Sequence, residues 1–147
     1  CKGSVCDFMN YTTISNAELL ELPVDVLVPA ALGEAITSKN AKRIRAKYII
    51  EIANGGLTPD AEKVLTKKKI IVIPDILANA GGVMVSYFEY AQNLKNTKWS
   101  KKKVLGLLKR NMDKTFEDVW QIKTKKRIDI RTASWIIALE NLSKKIK

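Results

Sequence analysis

The chain has 147 residues, 46% of them hydrophobic and 28% charged, with a net charge of +11 and no histidine. That length suits one domain with a real core, and the missing histidine excludes Ser-His-Asp and Cys-His catalysis built from this chain alone. Cys1 and Cys6 are the only cysteines, too few to close a zinc site, and they read as reduced thiols with no metal to hold.

The first predicted element is a short helix over residues 16–22 (NAELLEL), with Asn16 as its cap. Three short apolar runs follow: residues 24–28 (VDVLV) ending at Pro29, residues 48–52 (YIIEI) ending at Asn54-Gly55-Gly56, and residues 70–73 (IIVI) ending at Pro74-Asp75. Unalternating runs rich in Val and Ile and bounded by Pro or Gly suit strands buried on both faces of a parallel sheet. Between them, residues 33–46 and 58–68 read as helices. The second opens with Thr58 as N-cap, Pro59 at the first helical position, and Asp60 and Glu62 against the positive end of the dipole. Strand, helix, strand, helix, strand is half of a doubly wound nucleotide-binding fold.

A further helix starts near residue 80. The tail is then helical throughout: Val104, Leu107, Leu108, Met112, Phe116, Val119 and Trp120 recur at the spacing of one helix face, with Ser100 as cap. Ile136, Leu139, Leu142 and Ile146 repeat the pattern after Asp129, and Lys144, Lys145 and Lys147 suit that helix's negative end. The fold class expected is therefore α/β, a partial Rossmann-like parallel sheet with three strands evident and C-terminal helices. Residues 1–94 form the C-terminal half of a dinucleotide-binding domain, and residues 95–147 a helical tail packing back on it.

All the excess charge lies in that tail, where residues 95–147 carry 16 Lys and Arg against 5 Asp and Glu. A nucleic-acid or acidic protein partner is one reading of this; lysine-rich solvent faces on two helices is the other. Trp120 and Trp135 fall on the apolar faces and are not interleaved among lysines as a stacking platform requires, so nucleic acid is not the expected partner. No apolar run approaches the roughly 18 residues of a membrane span and no signal-peptide pattern is present, which makes a cytoplasmic protein without membrane association the expectation.

The three strands all end in residues suited to an open site, and doubly wound sheets bind ligands at that carboxyl edge. These residues are Pro29-Ala30-Ala31, Ala53-Asn54-Gly55, and Asp75 through Asn79-Ala80-Gly81-Gly82. Small residues admit a ligand close to the backbone, and asparagine offers both a donor and an acceptor. Two glycines at a helix start are costly, each about 1 kcal/mol against alanine within a helix. They leave room for a flat, bulky ligand or else for a closely packed helix. Asn54 is alternatively a turn residue, and Ser86 a hydroxyl bonded back to its own helix.

The segments ISNAELLELPVDVLVPAAL, EIANGGLTPDAEKVL, PDILANAGGVMVSYFEYAQN and DIRTASWIIALENL, in this order and spacing, resemble the C-terminal half of the Glu/Leu/Phe/Val dehydrogenase family. The hexameric glutamate dehydrogenases are the most similar branch. The resemblance implies oxidative deamination of L-glutamate to 2-oxoglutarate and ammonia, with NAD or NADP as cofactor, in a homo-oligomer expected to be a hexamer. By position it implies that Asn54 lies near the nicotinamide ribose and Asn79 holds the nicotinamide carboxamide, while the backbone at Ala30 and Ala31 passes the cofactor. Val83 and Ser86 would line the glutamate pocket.

The family's catalytic lysines and aspartate, and its Gly-rich pyrophosphate loop, have no counterpart here; no G-x-G-x-x-G follows a strand. No residue of this chain is therefore assigned a catalytic role. A truncated enzyme, inactive by itself, is the expectation. The alternative is a standalone or decayed binding module that uses its basic tail on nucleic acid or a protein partner.

Overall fold

The structure, a computed structural model, describes residues 12–144 and residue 146. Cys1, Cys6, Lys145 and Lys147 lie outside the described residues. The elements run α1 (Asn16–Leu20), β1 (Val26–Leu27), β2 (Tyr48–Ile50), α2 (Pro59–Lys67), β3 (Ile71–Ile73), α3 (Asp75–Ala78), α4 (Ala80–Leu94), α5 (Lys101–Lys126) and α6 (Ile130–Ser143). The three strands form one parallel sheet in the order β1-β2-β3. No helix among the described residues is long and apolar enough to cross a membrane.

Local chemistry fixes most of the helix starts. Thr58 Oγ1 accepts from Ala61 N–H, Ser100 Oγ from Lys103 N–H, and Asp129 Oδ1 from Thr132 N–H at 2.8 Å, so each caps its helix as the sequence predicts. The first helix differs. Its cap is Ser15, not Asn16: Ser15 Oγ accepts from Glu18 N–H while the Glu18 carboxylate takes the Ser15 N–H, a reciprocal capping box that leaves Asn16 inside the helix. Lys144 stands just past α6 as its C-cap.

Residues 33–46 are not a helix. Glu34 has a φ of +54°, which no α-helix accommodates, and Ile36 forms an isolated parallel bridge with Leu57. Asn40 then competes with any helical ladder: its Oδ1 accepts from Thr37 N–H at 2.8 Å and its Nδ2 donates to Ala35 O at 2.9 Å. The segment crosses from β1 to β2 as irregular chain and still buries Ile36, Ala41 and Ile44 completely.

The strands are buried on one face, not two. Leu27, Ile49 and Val72 stand in register and face a core of Ile36, Ile44, Ala61 and Leu65. On the other face Val26, Tyr48 and Ile71 are exposed. Only the carboxyl end of that face is covered, where Ile73 packs on a second cluster of Leu77, Val119, Ile130 and Ala133 from α3, α5 and α6. Trp120 and Trp135 do not join either core cluster: they are 39% and 52% exposed, and Trp135 stands with the exposed Leu139 and Leu142, not with the packed Ile130, Ala133 and Ile137 of α6. Trp120 stacks on Phe116 and carries the Lys123 ammonium over its ring.

The tail is tied to the sheet by one arginine. Arg131, in the first turn of α6, bonds Glu62 on α2 through Nε at 2.7 Å and Asp75 at the start of α3 through NH1 at 2.9 Å, and reaches Glu51 beyond β2 through NH2. The Glu51 side chain is fully buried. Burial opposes the charge of this guanidinium, but Glu51 and Glu62 outweigh it and hold Arg131 further toward its charged form. One cation cannot satisfy three carboxylates equally. Burial raises the Glu62 carboxyl above its ordinary value, with Glu51 and Asp129 repelling its charge against the pull of Arg131. Burial also pushes Asp75 upward, but N–H bonds from Gly55 and Ile76 together with Arg131 prevail and its pKa is lowered.

Two expectations follow from this packing. The Asp75 contribution to stability is present above the unfolded value of about 3.9 and is lost as pH falls through its lowered folded value. The Glu62 contribution has the opposite sign: it is complete below about pH 4.3 and is lost as pH rises through the raised folded value. In urea titrations across pH, Glu62→Gln should therefore lose the decline on the alkaline side of about pH 4.3 and keep the acid-side loss; a profile parallel to wild type would contradict the assignment. The uncovered residues Val26, Tyr48, Trp120, Trp135 and Leu139 predict self-association of the purified 147-residue chain, since apolar patches of more than about several hundred Å² seldom stay bare on monomers. Light scattering that shows a monomer at all concentrations would count against this.

Candidate functional site

The carboxyl ends of the strands converge. Pro29 O, just after β1, accepts from Ile52 N–H at 3.0 Å and from Ala53 N–H at 2.9 Å, which sets Ala30 and Ala31, both exposed, beside the loop that follows β2. At the tip of that loop Gly55 has a φ of +60°, a left-handed conformation that glycine adopts freely. Gly55 O accepts from Glu34 N–H at 2.7 Å and Gly56 O from Ile36 N–H at 3.0 Å, so the irregular 33–46 segment holds the loop's carbonyls.

Two carboxylates hold its N–H groups. Asp75 Oδ2 accepts from Gly55 N–H and Glu51 Oε1 from Leu57 N–H, both at 2.8 Å. These are the same Asp75 and Glu51 whose other oxygens meet Arg131. Sequence patterning does not single out Glu51 or Arg131. The signal is nevertheless present: Glu51 is an acid inside the apolar run YIIEI, a buried acid demands a cation, and "DIRTASW" offers one at a helix start.

Asn54 and Asn79 meet. Asn79, at the junction of α3 and α4, donates from Nδ2 to Asn54 Oδ1 at 2.6 Å and to Ile52 O at 3.2 Å. Its Oδ1 accepts no hydrogen bond among the described residues, and its side chain does not cap α4. The pair thus presents a fixed amide with an acceptor to spare.

The two glycines that follow have little packing reason to be glycine. A Cβ on Gly82 would meet nothing within 4 Å, and one on Gly81 would meet only Leu108 Cδ1 at 3.6 Å, an ordinary contact. Val83, next along, is 72% exposed. Ser86 Oγ donates to Gly82 O at 3.3 Å, back along its own helix. The edge is therefore an open, uncharged shelf of small residues, with an amide pair at one side and a hydroxyl one turn up α4. No group of three or more Cys, Asp or Glu placed to hold a metal ion occurs among the described residues. A basic concavity of about 470 Å³, lined by Arg45, Lys47, Lys68 and Lys69, opens at the opposite end of the strands and contains none of these residues.

The sequence matches the family model for the Glutamate/Leucine/Phenylalanine/Valine dehydrogenases over residues 2–147. The match runs through the basic tail, which makes the tail part of the family's own architecture and disfavours a separate nucleic-acid module. The chain is 48% identical over 141 residues to the glutamate dehydrogenase of Thermotoga maritima, covering 96% of this chain and 34% of that protein. It is 50% identical over 143 residues to the NADP-specific glutamate dehydrogenase of Synechocystis, covering 97% of this chain and 33% of that protein. A NAD-specific relative from Staphylococcus aureus is 44% identical over 87% of this chain and 31% of its own length. In structure, the chain superimposes with a TM-score of 0.86 on the hetero-hexameric glutamate dehydrogenase of Thermus thermophilus in its Leu-bound form, at 30% identity, covering 92% of this chain and 32% of that one. It spans about a third of the length of these relatives. The parallel sheet, the helices that follow it and the match along nearly its whole length place this chain in the Glutamate/Leucine/Phenylalanine/Valine dehydrogenase family.

Proposed function

We propose that this chain forms the nicotinamide-facing edge of a glutamate dehydrogenase that converts L-glutamate to 2-oxoglutarate and ammonia with NAD or NADP, in a homo-oligomer read as a hexamer. Residues 1–94 serve as the C-terminal half of the dinucleotide-binding domain and residues 95–147 as the tail that braces it. The observation that carries this reading is the Asn54–Asn79 amide pair beside the open Gly82.

A nicotinamide carboxamide needs an acceptor for its NH2 group, and Asn79 Oδ1 is free to be one while Nδ2 is fixed by Asn54. Gly82 leaves the space a flat ring requires. Ala30 and Ala31 keep side-chain bulk away from the cofactor's path, and Asn54 stands on the ribose side. When bound, the nicotinamide supplies hydride acceptance from the substrate's α-carbon; the residues here bind and orient. Val83 and Ser86 lie on the substrate side of the shelf, and the Ser86 hydroxyl exchanges its weak bond to Gly82 O for a substrate carboxylate. The shelf's amides and hydroxyl do not take a proton from an amine near neutral pH, so the chain by itself turns over no glutamate.

Binding of cofactor fragments tests the first part. In ¹H–¹⁵N spectra of the 147-residue chain, NAD and nicotinamide mononucleotide should both shift Asn54, Asn79 and Gly82, whereas ADP-ribose should not. Shifts at these residues with ADP-ribose alone would reverse the orientation proposed. Ser86→Ala, introduced into the full-length enzyme, should raise the KM for glutamate by about tenfold and leave that for the cofactor unchanged, since a hydrogen bond to a charged group contributes about 1.5–3 kcal/mol. Equal effects on both constants would return Ser86 to a purely intrahelical role.

A further inference from the structure

We infer that Arg131 is a positioning residue for the Asn54–Asn79 pair and acts on it through Glu51 and Asp75. The inference rests on the nicotinamide reading above for its purpose, but its geometry stands without it.

Four bonds form the connection. The Arg131 guanidinium takes one oxygen of Glu51 and one of Asp75. The remaining oxygens of the same two carboxylates accept the Leu57 and Gly55 N–H groups at 2.8 Å. Asn54 directly precedes Gly55, so its side chain is placed by whatever fixes that N–H. Asn79 is tied to the same point: α3 begins at Asp75, whose own N–H is donated to Glu51 Oε2 at 3.3 Å, and Asn79 N–H is donated to Asp75 O at 3.0 Å. Both asparagines thus hang from Asp75, one through its side chain and one through its backbone.

The electrostatics give the arginine its leverage. Glu51 and Asp75 approach each other closely enough to share one guanidinium, and Glu51 has no access to water. Without the cation, two like charges would sit together in a desolvated place, and at least one carboxylate would take up a proton or turn away. Either event weakens its hold on the loop. A planar fork serves where a point charge does not, because Arg131 must reach three acceptors in different directions. The third, Glu62, accepts no hydrogen bond from the loop among the described residues, and this separates positioning from general support. Loss of Glu62 should loosen α6 from α2 and leave the asparagines where they are.

The experiment uses the 147-residue chain and compares Arg131→Met, Arg131→Lys and Glu62→Gln. Three readings are taken: amide hydrogen exchange at Gly55, the side-chain amide resonance of Asn79, and the affinity for nicotinamide mononucleotide. In Arg131→Met the Gly55 amide should exchange faster by about tenfold or more, the Asn79 resonance should move toward the position of a solvent-exposed amide, and mononucleotide binding should weaken by a similar factor. Arg131→Lys should fall between this and wild type, which keeps the comparison available if the methionine variant does not fold. Glu62→Gln should leave all three readings within about twofold of wild type. Equal effects from Glu62→Gln and the Arg131 variants, or an unchanged Gly55 amide in a folded Arg131 variant, would overturn the inference. If the Gly55 and Asn79 readings respond as stated while wild type shows no affinity for the mononucleotide, the positioning role holds and the cofactor reading fails.

Discussion

A single guanidinium facing three carboxylates is the constraint on which this structure turns. Glu51 is an ionisable residue placed where a strand buries its side chains, and a carboxylate there is tolerable only with a cation and hydrogen-bond donors to meet both oxygens. Arg131 and the Leu57 and Asp75 N–H groups meet that demand. The consequence is architectural: the helical tail is fixed at the carboxyl edge by the electrostatic need of a residue at the end of β2. It is not an appendage resting on apolar contacts alone. The second apolar cluster, around Val119 and Ala133, then closes over the same junction.

The edge combines stiffness with openness. Its loop carbonyls accept N–H groups from the 33–46 segment and its own N–H groups are held by two carboxylates, while the shelf beyond is built of small residues from Asn79 to Gly82 and is exposed at Gly82 and Val83. Binding sites that orient a reactive ring need this division, because pre-organised contacts lower the ordering cost at the moment of association. The amide pair is held through its bonded neighbours, and among the described residues no atom lies within 4 Å of where a Cβ on Gly82 would stand.

Much of this was legible in the residues. Periodicity and punctuation located all three strands, and Thr58, Ser100 and Asp129 announced their helices because a capping side chain acts within three residues of itself. The failures come from interactions whose partners are distant or competing. Residues 33–46 have helical spacing, yet Asn40 and Thr37 satisfy the local backbone by another route, and the bridge from Ile36 to Leu57 outbids the helix. Ser15 displaced Asn16 as a cap because Glu18 sits at the reciprocal position for the serine alone. Unalternating runs rich in Val and Ile suit strands covered twice, but apolar character does not reveal whether a cover lies within the same chain, and Val26, Tyr48 and Ile71 stay exposed. Asn54 and Asn79 were both visible as edge residues; that one donates to the other required their 25-residue separation to be folded away. Glu51 and Arg131 were the least visible, since neither stands in a motif and 80 residues divide them.

That same separation sets an order of assembly. A chain emerging from the ribosome at about 5–20 residues per second would present Glu51 roughly 4 to 16 seconds before Arg131. Throughout that interval the sheet's own contacts are available, but the acid at the end of β2 has no cation and gains nothing from burial, so it favours water. The strands can therefore gather early while the amide edge stays unset, and the last turn of events in making the site is the docking of a helix that contributes no atom to the shelf itself. A nascent chain is thereby kept from presenting a finished amide edge before its tail has been made.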